Sequence, residues 1–65
     1  MKVFFQDNET EDVLYRIEDS HVIPNVGESV CINKAWYEVV ERTFYYENLA
    51  FVDDNSCTIW IKRQE

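Results

Sequence analysis

Apolar and polar residues change places along most of this chain at the two-residue period of a β-strand. No stretch holds the three-and-four spacing of a long amphipathic helix. Residues 2–6 predict a first strand, with Val3 and Phe5 on one face and Phe4 on the other. Residues 7–12, Asp-Asn-Glu-Thr-Glu-Asp, are a polar connection. Residues 13–17 predict a second strand, in which Val13, Tyr15 and Ile17 alternate with Leu14 and Arg16. Val13, Leu14 and Ile17 also fit one or two helical turns, but the run is short and flanked by breakers, which favours a strand. Glu18, Asp19 and Ser20 break the pattern, and His21, Val22 and Ile23 lead into the centre of the chain.

That centre, residues 24–46, opens with the only Pro and the only Gly, Pro24 and Gly27. Pro pre-sets a turn φ and Gly accepts a positive one, so the turn ends where Glu28 begins. Val30 and Ile32 then alternate with Cys31 and Asn33. Asn33 and Lys34 suit a tight turn, because Asn tolerates the left-handed region. A long strand resumes at Trp36 with Tyr37 and Val39 on one face. Val40 breaks the alternation, which predicts a bulge near Val40 or Glu41. Beyond it Arg42, Phe44 and Tyr46 share one face, and Thr43 and Tyr45 the other. Glu47 and Asn48 predict a turn, residues 49–52 a strand, and residues 53–56 a turn. A last strand over 57–62 sets Cys57, Ile59 and Ile61 against Thr58, Trp60 and Lys62.

The count is five or six short strands in one domain, with no helix, repeat or low-complexity segment. A closed antiparallel barrel would hide the sheet edges of so small an all-β chain. The sequence Pro-x-x-Gly-Glu-x-Val-x-Ile, a short turn, then Tyr-x-Val and an aromatic run resembles the start of many SH3-like small β-barrels. The resemblance spans residues 24–46, about a third of the chain. It implies a five- to six-stranded SH3-like antiparallel β-barrel. Barrels of that kind bind peptides, RNA, DNA or other subunits, so the fold alone does not choose a function.

With 65 residues, the chain buries only about 60% of its unfolded surface. An apolar content of 46%, with 15% aromatic, offsets part of that deficit and excludes a disordered tail. The formal charge is −7, from 13 acidic and 6 basic side chains. That argues against a basic nucleic-acid footprint and against an anionic membrane surface. It suits a basic partner, and it also keeps a small domain soluble. The apolar run near the start, Val3-Phe4-Phe5, is too short for a signal peptide, and no segment approaches a membrane span. The expectation is a cytoplasmic protein, in the host cytoplasm if phage-encoded. Cys31 and Cys57 are then expected as reduced thiols.

Catalysis finds no support in the residue pattern. Neighbours Ser20 and His21 point to opposite sides of an extended chain, and no nucleophile–base–orienter set surrounds the single His. The acidic run 7–12 lacks the central Gly and twelfth-position Glu of an EF-hand. His21, Cys31 and Cys57 have no zinc-ligand spacing. The expectation is no enzyme, no cofactor and no metal.

Binding is better supported. Phe4 with Phe5, Trp36 with Tyr37, Phe44 with Tyr45 and Tyr46, and Trp60 between Ile59 and Ile61 place rings on both sides of strands. Some must stay outside so small a core, where Trp and Tyr mark interfaces. The acids cluster too, and a strand-step row of carboxylates would imitate the regular charge of a nucleic-acid backbone. The residues expected to contact a partner are Glu9, Glu11, Asp12, Glu18, Asp19, Trp36, Tyr45, Asp53, Asp54 and Trp60. The first reading is a non-enzymatic acidic module that occupies the basic surface of a nucleic-acid-binding protein. In size and charge it resembles small acidic inhibitors from phages and mobile elements, including anti-CRISPR and anti-restriction proteins. The alternative is a self-associating structural or accessory subunit that pairs through Trp36, Tyr45 and Trp60.

Overall fold

The structure is a computed structural model that describes residues 1–46, 48–49, 52–53 and 55–64, the backbone alone for 48, 49, 52 and 53. Its strands are β1 (Lys2–Asp7), β2 (Val13–Ile17), β3 (Ser29–Ile32), β4 (Ala35–Tyr45), β5 (Asn48–Leu49), β6 (Val52–Asp53) and β7 (Ser56–Arg63). Five of them form one mixed sheet in the order β2-β1-β7-β4-β3, curled into a half-barrel. Among the described residues there is no helix, so none is long and apolar enough to cross a membrane.

Strand β7 lies at the centre of the sheet. It runs parallel to β1, pairing Val3 with Cys57 and Phe5 with Ile59, and antiparallel to β4, pairing Val39 with Ile61. The concave face of the curl holds the core: Val3, Phe5, Ile32, Val39, Cys57, Ile59 and Ile61 are all buried. Met1, Leu14, Ile17, Ile23, Val30, Tyr37 and Phe44 pack against them. The expected wholly antiparallel sheet therefore needs correction at the β1–β7 pair. With β2 on one side of β1, the other edge of β1 is satisfied by β7, and the parallel register puts Val3 and Phe5 level with Cys57 and Ile59. Parallel neighbours require a long crossover, and most of the chain lies between these two.

Two bulges decide which side chains face inward. The expected one sits at Val40: Val39 faces Ile61 and Glu41 faces Trp60, so the intervening residue has no partner. A second lies at Leu14, between the pairs Phe5–Tyr15 and Gln6–Val13. A bulge residue adds one step to its strand and shifts the face of everything beyond it. Tyr15 and Ile17 consequently face the core side, whereas Val13, expected beside them, stands opposite Gln6 on the outer face and is 53% exposed.

The turns expected at Pro24–Gly27 and at Asn33–Lys34 both form. Gly27 has φ 93°, and its N–H donates to the Val39 carbonyl at 2.8 Å. The Val39 N–H returns the bond to Glu28 at 2.9 Å, which seats the Pro24 turn on β4. The Asn25 N–H donates to a carboxylate oxygen of Glu28. Asn33 and Lys34 both take positive φ, 49° and 69°, and join β3 to β4 in a two-residue hairpin turn.

Past Tyr45 the structure departs from the expected single strand over 49–52. The pairs Asn48–Asp53 and Leu49–Val52 form a separate two-stranded ribbon. Its pairs keep the register in which Tyr45 faces Ser56. The turn expected at Glu47 and Asn48 is replaced at Asn48 by β5, and Glu47 lies outside the described residues. Of the turn expected over 53–56, Asp53 is in β6, Ser56 opens β7, and Asp54 lies outside the described residues. Near the base of this ribbon the Arg42 guanidinium lies 5.4 Å from the centre of the Phe44 ring, and Phe44 stacks on Tyr46 at 6.2 Å.

Replacing Lys34 with Gly should raise stability by up to about 1 kcal/mol, because Gly removes the Cβ clash of a left-handed residue. Ile59→Ala should cost about 2–5 kcal/mol through the cavity it leaves. Urea denaturation of the two variants checks both. A destabilised Lys34→Gly protein would contradict the turn.

Candidate binding surfaces

Glu9, Glu11, Asp12, Glu18, Asp19 and Glu28 lie in turns and connections, whereas Asp7, Glu38, Glu41 and Asp53 lie in strands. In the loop between β1 and β2, an Asp7 carboxylate oxygen accepts the N–H groups of Glu9 at 2.8 Å and Thr10 at 3.1 Å. The Thr10 hydroxyl accepts the N–H of Asp12 at 3.3 Å, and the Asp7 N–H donates to the Asp12 carbonyl at 2.9 Å. Glu11 takes φ 65°, its N–H donates to the Asp7 carbonyl, and its own carbonyl accepts the Gln6 amide at 3.0 Å. The backbone of the loop is thus pinned while Glu9, Glu11 and Asp12 project, exposed, from its surface.

Glu18 and Asp19 sit at the other end of β2. Glu18 pairs with Arg16 at 2.6 Å, and Asp19 with the N-terminal ammonium at 3.5 Å. The two acidic groups therefore bracket a five-residue strand, and no strand-step row of carboxylates joins them. Asp53 contributes its backbone to β6, and Asp54 lies outside the described residues.

The three rings singled out in the sequence share the outer, convex face. Trp36 stands opposite Cys31, Trp60 opposite Glu41, and Tyr45 opposite Ser56, all out of phase with the buried Val39, Ile59 and Ile61. Trp36 is 56% exposed and Tyr45 45%, but they lie at opposite ends of β4. Trp60 is half-buried, and its indole N–H donates to the Thr43 hydroxyl at 3.3 Å. A shallow hollow of about 460 Å³ beside Trp60 is lined also by Asn8, Val40 and Glu41. Another, of about 410 Å³, is floored by Phe4 and Thr58 and edged by Gln6, Val13, Tyr45 and Ser56. The pinned acidic loop borders this outer face, since Asn8 leads into it and Gln6 holds Glu11.

A third surface was not legible in the sequence. Strands β2 and β3 end the sheet, each with a single neighbour, and the curl brings them to either side of a cleft of about 390 Å³. Phe5, Tyr15 and Ile17 form one wall, with the Phe5 and Tyr15 rings tilted at 57° and 6.4 Å apart. Val30, Cys31, Ile32 and Asn33 form the other. Nothing in the sequence marks two strands that are distant in order as opposite rims of one opening.

Among the described residues no group of three or more His, Cys, Asp or Glu could hold a metal ion. His21 is exposed in the connection after β2. Both cysteines are free and lie on opposite faces: Cys57 inside with the core, Cys31 exposed and opposite Trp36. Burial pushes the Cys57 thiol up from its ordinary value, and the Arg42 guanidinium draws it part of the way back. Comparison with protein-family models, with curated proteins and with solved structures finds no match.

The two thiols should therefore separate in reactivity. At about pH 8 an alkylating reagent should label Cys31 quickly and Cys57 only after denaturation, because the thiolate is the nucleophile and burial suppresses it. Peptide mass mapping reads this directly, and equal labelling of both in the native protein would contradict the burial of β7.

Proposed function

We propose that the chain is a non-enzymatic protein-binding module, a small-barrel scaffold of the SH3-like kind that sets acids and aromatic rings against a basic surface of a partner protein. The observation that carries this reading is the pinned loop after β1. It presents Glu9, Glu11 and Asp12 from a hydrogen-bonded backbone, beside an outer face with Phe4, Tyr45 and Trp60. Carboxylates on a preorganised loop lose less freedom on binding than carboxylates on a mobile one. A formal charge of −7 steers the module toward cations and away from phosphate backbones. A nucleic-acid-binding protein offers such a surface, and a phage or mobile-element inhibitor of the anti-CRISPR or anti-restriction kind would act by covering it.

A second reading, self-association through the outer face, draws on the exposure of Val13, Trp36 and Tyr45 there. Light scattering at increasing concentration separates the two: a strict monomer rules out self-association.

Combined reversal of Glu9, Glu11 and Asp12 to Lys should abolish capture of the partner. The check is affinity capture on tagged protein from nuclease-treated lysate, eluted by a salt gradient. Wild type is expected to retain a basic protein that moderate salt releases, and the triple variant to retain none. Equal capture by both proteins would remove the loop as the contact, and recovery of the tagged protein alone would sink the reading.

A further inference from the structure

We propose that the cleft between β2 and β3 is a strand-addition site. Its occupant is an extended peptide segment of a partner protein, apolar at alternate positions and basic at both ends, which lies along β2 and extends the sheet. This rests on the reading of the chain as a protein-binding module, and it names the segment recognised.

Three observations converge on the cleft. Its rims are the two edge strands of the sheet, and an edge strand carries backbone donors and acceptors that its one neighbour does not use. An added strand takes up such groups, and its alternate side chains then point into whatever lies beneath. Beneath lie the apolar side chains of Phe5, Tyr15, Ile17, Val30 and Ile32, which share the lining of about 390 Å³ with Cys31 and Asn33, and Tyr15 is half exposed at the rim. The third observation concerns charge. Glu11 and Asp12 precede β2 and Glu18 and Asp19 follow it, so acids stand at both ends of a strand about 17 Å long. A strand that spans β2 brings its own ends against those carboxylates, and Lys or Arg there complement them.

The same charges disfavour a second copy as the occupant. Two β2 strands paired antiparallel would set Asp12 of one beside Glu18 of the other at both ends, between chains that each carry −7. The ion pair of Arg16 with Glu18 is exposed on both sides and Asp19 is exposed in its pair with the N-terminus, and exposed pairs are weak enough to exchange for an incoming cation.

The test uses the isotope-labelled full chain and a pool of short synthetic peptides. Val, Ile, Leu or Phe alternate in them with Ser or Thr, and Lys or Arg occupies both ends. Amide resonances of residues 13–17 and 29–33 should shift saturably on titration. Peptides with Glu at the ends, and peptides N-methylated at alternate residues, should bind about tenfold more weakly or worse. Tyr15→Lys should cost a similar factor with the rest of the spectrum unchanged, while Tyr15→Phe should bind as wild type does. Shifts confined to the outer face around Phe4, Thr58 and Trp60 would overturn the proposal, as would no shift at millimolar peptide. Shifts at β2 on concentrating the protein alone would show a second copy as the occupant and overturn it too. If the cleft stays silent while the lysate partner is still lost on reversing Glu9, Glu11 and Asp12, strand addition fails and the protein-binding reading stands. If that partner is absent as well, both fall.

Discussion

The pairing of β7 with β1 on one side and β4 on the other holds the molecule together. Cys57, Ile59 and Ile61 are buried on the concave side of β7, and Thr58 is buried on the convex side beneath Phe4 and Tyr45. Among the described residues no other strand is covered so fully on both faces. Each partner of β7 then brings its own hairpin, β2 with β1 and β3 with β4, so both rims of the sheet hang from the same central ladder. A domain this small has little stability in reserve, and a single lost contact in that ladder is a large fraction of the total. Loops and rims, in contrast, can vary at little cost.

The concave side shows how so small a core is closed. Leu14 and Val40, the two bulge residues, are half-buried, and each lies where its strand must bend. Bulges increase local twist and let a sheet wrap round its own contents. The curl carries the β3 end of the sheet over the core, where Ile32 is buried although β3 lies at the edge. Farther along β4, the Arg42 guanidinium lies over Phe44 and near Cys57, so a cation sits against the edge of the core. Such an arrangement keeps the charge partly hydrated while its stem and the ring cover one another.

Local features were legible in the sequence where one residue type determined them. Gly27, Asn33 and the break at Val40 each signalled a backbone need that the fold meets at that position. The bulge at Leu14 was hidden, because Val13, Tyr15 and Ile17 are all apolar or aromatic and alternate well without it. Only the partner strand shows that Val13 stands opposite Gln6 rather than over the core. The parallel β1–β7 pair was hidden for a related reason: alternation specifies faces but not neighbours. The side of the sheet that the aromatic candidates occupy follows from strand phase, since Val39, Ile59 and Ile61 face inward and Trp36, Tyr45 and Trp60 therefore face outward, with Trp60 half-buried. The acidic candidates before residue 20 divided into two groups, because carboxylates spaced closely in sequence occupy turns at opposite ends of β2, while Asp53 lies apart in β6. The cleft could not be read at all, since it depends on curl.

The placement of charge has consequences for any encounter. Acids in turns avoid the cross-strand repulsion they would create in a ladder, and there they can solvate freely while their backbone is bonded. The acids that do lie on the main sheet avoid one another too: Glu38 stands between Ser29 and Lys62, Glu41 opposite Trp60, and Asp7 opposite Ile61. The strand surfaces mix rings and β-branched residues with a few isolated charges, Glu38, Glu41 and Lys62 among them. Contact is thus divided between two physical terms. Carboxylates at the ends of strands would act at long range and set the rate and salt dependence of association with a cationic partner, were there one. Aromatic and apolar surfaces between them act only at contact and set how long a complex lasts. A partner that matched only the charge would meet this protein fast and leave it fast. One that also offered apolar side chains between its basic groups would stay.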